Sequence, residues 1–446
     1  MRQVSTRPIA VAALVGAWLA GGCAPSSFSL CNSDDDCTRR ELCVDGMCGA
    51  MHEPASADTV AQRGRAAQGE LIIDLSGDDD VTTPSPEPEP GEPAPPPPGA
   101  PVDPPDDWLD PGFEHRAIVT IVGVDGVDEE RVDDLAVLVR LREADLGAAV
   151  LQAARARVLF TTVDHEPLAA ELDSDRGQEL LYWVRHSFDP RAGQAEPERL
   201  YVYMGGDAAV AAPSSSEAWS SYFAVYHLGA PRNLPQPDST GASAGVNEDA
   251  EAETVPCTVG PCLFFDGLDD RMVVPRAFPE LAGATQATLS ATVRMSTADD
   301  SFIAVWSTAD EGRCRVCLGT NDDGVPQAAV RANDASPVLQ VAEGGPPLQL
   351  GIDHQLDAVL DMVAGTISLF VDGHHRATKQ FLSPGALSAS DGAAAAVGAA
   401  AGPAAAAEFD GLVDEVRIST RRRSPGFVRV DAAARAGLLT TVALDR

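Results

Sequence analysis

The stretch EFDGLVDEVRIS, residues 408–419, places four carboxylates in a segment that alternates like a β-strand. Glycoside hydrolysis needs two carboxyl groups beside the sugar bond, one to protonate the leaving oxygen and one to attack or to activate water. The same residue types also bind turns and neighbouring strands in domains without activity. The segment therefore raises two hypotheses, a glycosidase site and a set of structural contacts, and the elements around it must separate them.

The length and charge of the chain limit the functions that it can serve. At 446 residues it is long enough for two or three domains, since a single hydrophobic core usually stops growing below that size. Acidic residues outnumber basic ones 67 to 32, which gives a formal net charge of -35. Such a surface repels nucleic acid and anionic lipid headgroups. We therefore predict no nucleic-acid partner.

The N-terminus has the layout of a secretory signal. Arg2 and Arg7 precede an apolar run over residues 9–19, and the small residues of LAGGC lead into Cys23. The run is too short to span a membrane. The segment resembles a bacterial lipoprotein signal, although Ala20 stands where leucine is commonest in that family.

The lipoprotein resemblance implies that residues 1–22 are removed and that Cys23 becomes the lipidated first residue. Ala24 replaces the aspartate that favours inner-membrane retention, so the resemblance implies a lipid anchor in the outer membrane of a Gram-negative cell envelope. The membrane, reached through this lipid, is then the first predicted partner. Ordinary cleavage without lipidation, or an uncleaved anchor, is the alternative.

A small cysteine-rich module occupies the rest of residues 23–50. Its four cysteines are Cys31, Cys37, Cys43 and Cys48. A segment of this size cannot bury a sufficient core, so disulfides must hold it, and three pairings are open. The interleaved pattern of many small cysteine knots, Cys31 with Cys43 and Cys37 with Cys48, is favoured, and the segment resembles short cysteine-rich repeats of secreted bacterial proteins. A zinc site is the alternative, but the spacings lack C-x2-C pairs and the oxidising compartment favours disulfides.

Residues 51–107 are acidic and rich in proline, with few aliphatic and aromatic side chains. Such a segment cannot bury enough apolar surface to offset the entropy of ordering it. We predict a disordered, semi-extended linker that holds the following domains away from the membrane.

From residue 108 to residue 241 short alternating apolar runs follow one another, and these predict the strands of a β-sandwich. A brief helix is predicted within residues 144–156. The runs EHRAIVTI, LLYWVRHSF, RLYVYMGG and AWSSYFAVYHLGAPRNLPQPDSTG resemble the family called domain of unknown function 2341, for which no activity is established. His227 ends one of these apolar strands, and we interpret it as a hydrogen-bonded structural residue and not as a catalytic one.

After a linker over residues 242–256, residues 257–446 again show an all-β pattern, with Asp-Gly pairs suited to tight turns. FFDGLDDRMVVP, TISLFVDG and FDGLVDEVRIS resemble a laminin G-like domain of the concanavalin A-like lectin and glucanase superfamily, which implies a jelly roll. His354 lies in the strand where this family usually has a tryptophan. Ser424 and Pro425 are predicted to begin a short closing helix. The predicted fold class is therefore all-β, with two consecutive β-sandwich domains.

The jelly-roll resemblance provides a test of the glycosidase hypothesis. Catalytic members carry E-x-D-x-E, or E-x-D-x-x-E with a bulge, so that three acids share one face. Glu408 and Asp410 fit the first two positions, but the third falls on Leu412 or Val413. We therefore predict no catalytic residue and no enzyme. Asp414 and Glu415 match the closing DEVRI of non-catalytic laminin G-like domains, in which these acids are expected to bond turns and neighbouring strands.

The second sandwich contains two further pairs of cysteines, and we predict a local disulfide for each pair. The pairs are Cys257 with Cys262 and Cys314 with Cys317, ahead of crossed pairing. A four-cysteine zinc site and a redox pair at Cys314 and Cys317 are the alternatives. The redox pair lacks the helix N-terminus that lowers a thiol pKa.

These features predict a non-catalytic surface lipoprotein that serves adhesion or recognition by binding an extracellular carbohydrate or protein. A structural scaffold is the alternative, and a glycoside hydrolase is the third hypothesis. The ligand-binding residues are unknown. Sugar rings commonly stack on Trp and Tyr, yet the second sandwich contains only Trp306, which weakens a glycan site. Loops such as residues 320–324 remain candidates for protein or calcium-mediated binding. No metal site or cofactor is predicted, because calcium is supported by no specific motif.

Overall fold

The computed structural model describes residues 107–192, 196–231, 233–248, 253–308, 313–333, 336, 338–389, 393–400 and 407–445, and the backbone of residues 41–44 and 47–50. The chain divides into two compact units, Met1–Pro96 and Pro97–Arg446. In the first unit β1 (Glu41–Val44) pairs with β2 (Met47–Ala50) as an antiparallel hairpin that sets Cys43 opposite Cys48. Cys23, Cys31, Cys37 and the predicted linker lie outside the described residues.

The second unit begins with seven strands and two short helices between residues 107 and 204. In chain order they are β3 (His115–Ile121), β4 (Val132–Arg142), α1 (Glu143–Leu146), α2 (Ala148–Ala156), β5 (Val158–Thr162), β6 (Pro167–Leu168), β7 (Ala170–Asp175), β8 (Glu179–Phe188) and β9 (Glu198–Met204). The brief helix predicted from the sequence is confirmed as α1 and α2, with Gly147 between them at a φ of 87°.

The described residues after β9 form sixteen strands and one α-helix. They are β10 (Ala224–Tyr226), β11 (Val246–Glu248), β12 (Glu253–Pro256), β13 (Pro261–Asp266), β14 (Arg271–Val273), β15 (Gln286–Met295), β16 (Ser301–Thr308), β17 (Cys314–Thr320), β18 (Pro326–Val330), β19 (Gln340–Glu343), β20 (His354–Asp361), β21 (Thr366–Val371), β22 (His374–Gln380), β23 (Ala393–Val397), β24 (Asp410–Ser419), α3 (Pro425–Arg435) and β25 (Thr440–Leu444). Short 3-10 helices lie at Ser215–Trp219 and Pro279–Leu281.

Two antiparallel sheets form the larger sandwich. One has the order β12-β13-β24-β15-β20-β21-β22, with β10 also paired to β24, and the other has the order β11-β14-β23-β16-β17-β18-β19. Alternate residues of each strand point into the space between the sheets, where Leu289, Leu356 and Val413 meet Trp306 and Leu318 in one apolar core. This arrangement confirms the predicted all-β sandwich.

A smaller sandwich precedes it in the chain. Its five-stranded sheet has the order β25-β3-β9-β5-β6, and its three-stranded sheet has the order β4-β8-β7. Val119, Val137, Val184 and Val202 are fully buried in the core between them. The fold class predicted from the sequence, two consecutive β-sandwiches, is therefore confirmed.

Some strands pair with a sheet on the other side of the domain boundaries that the sequence analysis predicts at residues 241 and 257. β10 and β11 come before residue 257 but pair with β24 and β14 of the larger sandwich. β25 comes at the end of the chain but pairs with β3 of the smaller one. Apolar alternation identifies a strand without indicating which sheet edge it joins, because that choice depends on contacts distant in sequence. Each sandwich is therefore built from segments that are not contiguous in the sequence.

Helix α3 carries the chain from the larger sandwich back to the smaller one. The side chain of Ser424 accepts a hydrogen bond from the Phe427 backbone amide at 3.1 Å, and Pro425 occupies the first turn. The predicted closing helix is thereby confirmed, together with its cap. Among the described residues, no helix combines the length and the apolar character needed to cross a membrane.

Candidate functional site

The outer face of the eight-stranded sheet is polar, yet the protein covers it. Strand alternation turns Thr292 of β15, Gln355 and Asp357 of β20, and Asp414 and Arg417 of β24 away from the apolar core. Four of these five side chains belong to residues that are at most 6% exposed, because α3 and the smaller sandwich pack over them. This covered polar face, called the outer face below, contains the groups capable of binding or chemistry.

A β-bulge in β24 places two consecutive acids on the outer face. Ser290 pairs with Arg417 and Thr292 pairs with Asp414, so the single residue between them on β15 faces two residues of β24. Glu415 is the extra residue and adopts a φ of 54°, in the left-handed region that few side chains other than glycine enter. The bulge therefore turns the carboxylates of both Asp414 and Glu415 outward.

Arg417 is the centre of a buried charged cluster on this face. Its guanidinium contacts Glu415 at 2.5 Å and Asp431 of α3 at 3.1 Å, and all three side chains are at most 3% exposed. The same guanidinium lies 4.1 Å from the ring centroid of Trp183 and 4.7 Å from that of Trp219. Cation–π contacts of this kind are strongest where water is excluded. The cluster therefore joins β24, α3 and the smaller sandwich.

His227 is hydrogen-bonded on both ring nitrogens. Nδ1 lies 2.6 Å from Glu415 Oε1, and Nε2 lies 3.3 Å from Glu171 Oε2, which also accepts a hydrogen bond from the Trp219 indole. Burial acts to lower the pKa of His227, but the negative charge of Glu415 and the hydrogen bonds of both glutamates raise it well above its usual value. The contacts are those expected of the structural histidine that the sequence analysis inferred.

A cavity of about 510 Å³ lies between the outer face, α3 and the start of the larger sandwich. Its polar wall includes Thr292, Gln355, Asp414 and Arg435, while Val259, Leu412 and the alanines of α3 supply apolar surface. This volume falls within the range of small-molecule sites, which combine an apolar lining with a few convergent polar groups. We therefore take this outer-face cavity as the candidate binding site.

Three residues that line the cavity each have a buried side-chain atom with no hydrogen-bond partner among the described residues. The atoms are Thr292 Oγ1, Gln355 Oε1 and Arg435 Nε. Buried polar atoms are nearly always paired, so these residues form an incompletely satisfied polar layer beneath the cavity wall. Burial, followed by the negative charge of Glu415, raises the pKa of the Asp414 carboxyl group well above its usual value.

Ion pairs frame the mouth of the cavity. Arg294 bonds both oxygens of Asp353, at 2.8 and 2.9 Å, and the hydroxyl of Thr258 donates to the same carboxylate. His354 Nδ1 lies 2.9 Å from Asp372 Oδ2. His354, which occupies the strand where the resembling family usually has a tryptophan, therefore lines the cavity from the start of β20.

The structure forms both of the local disulfides favoured for the second sandwich. Cys257 is bonded to Cys262 and Cys314 to Cys317, with Cα–Cα distances of 5.8 and 5.9 Å. Cys257 lines the cavity, so its disulfide fixes the segment that carries Thr258 and Val259. The pairings proposed for Cys31, Cys37, Cys43 and Cys48 stay predictions.

Other residues singled out in the sequence lie away from the cavity. Trp306 is 1% exposed in the core of the larger sandwich and offers no face for stacking. In the 320–324 loop, the Asn321 side chain accepts hydrogen bonds from the Asp323 and Val325 amides, as in an ordinary turn. Of the four acids in residues 408–419, Asp414 lines the cavity and Glu415 contacts His227.

Sequence reasoning missed the residues that surround these acids and their neighbours, which are Glu171, Asp173, Trp183 and Trp219 on the smaller sandwich, Gln355 on β20 and Arg435 on α3. One sequence signal was available: polar residues occupy alternate positions of these strands, which is typical of a sheet face exposed to water. Their burial follows from the packing of one sandwich on the other, which no local pattern reports.

The geometry defines the larger sandwich as a jelly-roll type of β-sandwich with a covered outer face. The family model described as the concanavalin A-like lectin/glucanases superfamily matches residues 266–429. This part of the chain is therefore similar to the concanavalin A-like lectin/glucanases superfamily. None of the curated proteins compared with the chain matches it.

Several solved structures are similar to parts of the chain. Domain 4 of AbnA, a GH43 extracellular arabinanase from Geobacillus stearothermophilus in complex with arabinotriose, is 16% identical with a TM-score of 0.35, and the match covers 48% of this chain and 98% of that one. The Ruminococcus gnavus IT-sialidase CBM40 bound to alpha2,3 sialyllactose is 14% identical with a TM-score of 0.32, covering 42% and 96%. The SAP-like pentraxin from Limulus polyphemus is 15% identical with a TM-score of 0.30, covering 38% and 80%.

Proposed function

We propose that the protein is a non-catalytic recognition protein of the cell envelope and that its outer-face cavity binds a small carbohydrate. The observation that carries this proposal is a cavity of about 510 Å³ whose lining combines apolar surface with the polar residues Thr292, Gln355 and Arg435. The match of residues 266–429 to a lectin and glucanase family supports the ligand class. The proposal includes the lipid anchor at Cys23, which stays a prediction.

The chemistry of the wall suits a ligand rich in hydroxyl groups. Gln355 Oε1 accepts hydrogen bonds, Arg435 Nε donates them, and the Thr292 hydroxyl does both. A sugar hydroxyl is likewise both a donor and an acceptor, so a small saccharide suits a wall built from these residue types. Among the described residues that line the cavity, the only aromatic rings are the imidazoles of His354 and His374. We therefore expect binding through hydrogen bonds and not through stacking on Trp or Tyr.

A catalytic role receives less support from the same wall. Besides Asp414, its carboxyl groups are those of Asp353 and Asp372, which are engaged with Arg294 and His354. A glycosidase needs a second carboxylate free to attack or to activate water. A structural scaffold remains the second candidate, supported by the buried contacts of Arg417 with both sandwiches.

A glycan array followed by calorimetric titration of the best ligand tests the proposal. We expect Thr292→Val, which keeps the shape of the side chain and removes its hydroxyl, to weaken binding by several-fold to about tenfold, as the loss of one hydrogen bond of ~1 kcal/mol would. Thr378→Val is the matched control, because Thr378 lies on the exposed strand β22. Binding of no glycan, or equal affinity of wild type and Thr292→Val, would favour the scaffold.

A further inference from the structure

A second candidate site lies at the junction of the two sandwiches, on the side of Glu415 away from Arg417. Asp173 comes from β7, His227 follows β10, and Glu415 is the bulge residue of β24. One ligand atom from each of the three lies within 4.8 Å of the others. His227 Nδ1 is 2.6 Å from Glu415 Oε1 and 3.4 Å from Asp173 Oδ1. One imidazole nitrogen thus faces two carboxylates.

The Asp173 carboxylate faces His227 Nδ1 at 3.4 Å, but this nitrogen makes its closer contact with Glu415, at 2.6 Å. The Asp173 side chain is 1% exposed, and neither of its oxygens has a hydrogen-bond partner among the described residues. A Cβ at Gly260 would collide with Asp173 Oδ2, so a glycine there makes room for the carboxylate. A buried carboxylate without hydrogen bonds is costly unless a cation compensates it. Its position against His227 Nδ1 aims it at the space between the three residues.

The hydrogen bond of His227 to Glu171 resembles the one that commonly orients a metal-binding histidine. Metal-ligating histidines almost always donate their second ring N–H to a carboxylate or a carbonyl, which fixes the tautomer and orients the ring. Here His227 Nε2 lies 3.3 Å from Glu171 Oε2, and the Trp219 indole holds Glu171 in place. Nδ1 is left as the ligand atom, on the side of Asp173 and Glu415.

We propose that Asp173, His227 and Glu415 bind a zinc ion that joins the two sandwiches. One imidazole nitrogen and two carboxylate oxygens suit zinc, whose bonds to such atoms are about 2.0–2.2 Å long. The zinc ion would replace the Nδ1 proton of His227, and the 2.6 Å contact of Nδ1 with Glu415 Oε1 would open to about 3.3 Å, the spacing of two ligand atoms on a tetrahedral ion. Glu171 then acts as a positioning residue for the imidazole.

Charge and access favour a cation at this junction. The carboxylates of Glu171, Asp173 and Glu415 surround His227, and the nearby guanidinium of Arg417 is shared with Asp431. A divalent ion adds positive charge where the acids are in excess. The side chains of His227 and Glu171 are 15% and 19% exposed, so the ion can enter from their side. The three zinc ligands are distinct from Thr292, Gln355 and Arg435, the cavity residues proposed to bind the carbohydrate.

Zinc content of the oxidised full-length protein tests this site. The protein is incubated with zinc chloride, freed of unbound metal by gel filtration and measured by inductively coupled plasma mass spectrometry, with affinity from competition against a chelator. We expect wild type to retain one zinc ion per chain at this site and Asp173→Asn to lose at least about tenfold in affinity, because even partners outside the ligand set matter by that factor. Glu171→Gln should weaken zinc binding while leaving the site occupied at high zinc concentration.

Asp269→Asn is the matched control, because Asp269 lies in another group of three acids, near the β13–β14 turn. Zinc affinity should not change in this variant. X-ray absorption of the wild-type zinc complex provides a readout that needs no variant: a nitrogen and oxygen shell at about 2.0–2.2 Å is expected, whereas a sulfur shell at about 2.3 Å would assign the metal to cysteines. A sulfur shell, a wild type that retains no zinc, or undiminished affinity in Asp173→Asn would each overturn the proposal.

Discussion

The two faces of the eight-stranded sheet are both buried, but by different chemistry. On the inner face Leu289, Leu356 and Ile418 pack against the opposite sheet in one apolar core. On the outer face Ser290, Asp357 and Arg417 occupy neighbouring positions of the same strands beneath α3 and the smaller sandwich. Apolar burial needs only complementary shape, whereas each group of the outer face also needs a specific partner.

The difference teaches how the two sandwiches are held in one arrangement. An apolar contact tolerates small displacements, but a buried guanidinium that loses its carboxylates carries a large penalty. Arg417 contacts Glu415 on its own strand, Asp431 on α3 and two tryptophans of the smaller sandwich. The outer face therefore specifies the geometry of the junction, and the inner face supplies the larger part of the apolar stabilisation.

The largest effect that distinguishes the faces is expected at two adjacent residues of β24. Arg417→Met keeps an elongated side chain but leaves Glu415 and Asp431 without their buried partner, and removal of one partner of such a pair costs about 3–5 kcal/mol. Ile418→Val removes one methylene from the inner face and should cost about 0.5–1.5 kcal/mol. Equilibrium denaturation by urea measures both free energies of unfolding.

A double variant controls for the loss of packing around Arg417. If uncompensated charge causes the destabilisation, adding Glu415→Gln to Arg417→Met should recover part of the lost stability, since contacting residues are not additive. If Arg417→Met is no more destabilising than Ile418→Val, the outer face does not depend on its charges and the contrast between the faces is wrong.

The inner face was largely predictable from the sequence and the outer face was not. Val413, Val416 and Ile418 belong to the apolar alternation that identified β24, and Ser424 with Pro425 correctly predicted the start of α3. The bulge at Glu415 interrupts that alternation, and its effect depends on which residues of β15 lie opposite. The partners of Glu415, on β7 and after β10, are more than 180 residues away, so only the three-dimensional packing brings them together.

The next effect depends on pH and concerns Asp357 of the outer face. Burial, partly offset by the charge of Arg435, raises the pKa of Asp357 from 3.8 to about 6. Because the folded state retains this proton to higher pH than the unfolded state does, the contribution to stability is complete below pH 3.8 and is lost as pH rises through about 6. The full loss amounts to roughly 3 kcal/mol.

Denaturation of wild type and Asp357→Asn across pH 4 to 8 measures this contribution. The variant cannot ionise at this position, so its free energy of unfolding should decline less with rising pH than that of wild type. Asp125→Asn, at an exposed aspartate, should follow the wild-type profile. Parallel profiles for wild type and Asp357→Asn would show that the outer face does not hold this carboxyl group in its neutral form.

The smallest effect is expected at the cap of α3, the helix that covers the outer face. Ser424 accepts a hydrogen bond from the Phe427 amide and donates one to Glu129 of the smaller sandwich at 2.6 Å. Ser424→Ala removes both bonds and should lower the free energy of unfolding by about 1 kcal/mol, as the loss of an N-cap usually does. The control is Ser296→Ala at an exposed serine, which should change this free energy by less than ~0.5 kcal/mol. Hydrogen exchange should accelerate in α3 more than in β15 and β20, because the cover loosens while the inner face stays packed. Equal acceleration throughout would mean that the cover and the inner core unfold as one cooperative unit.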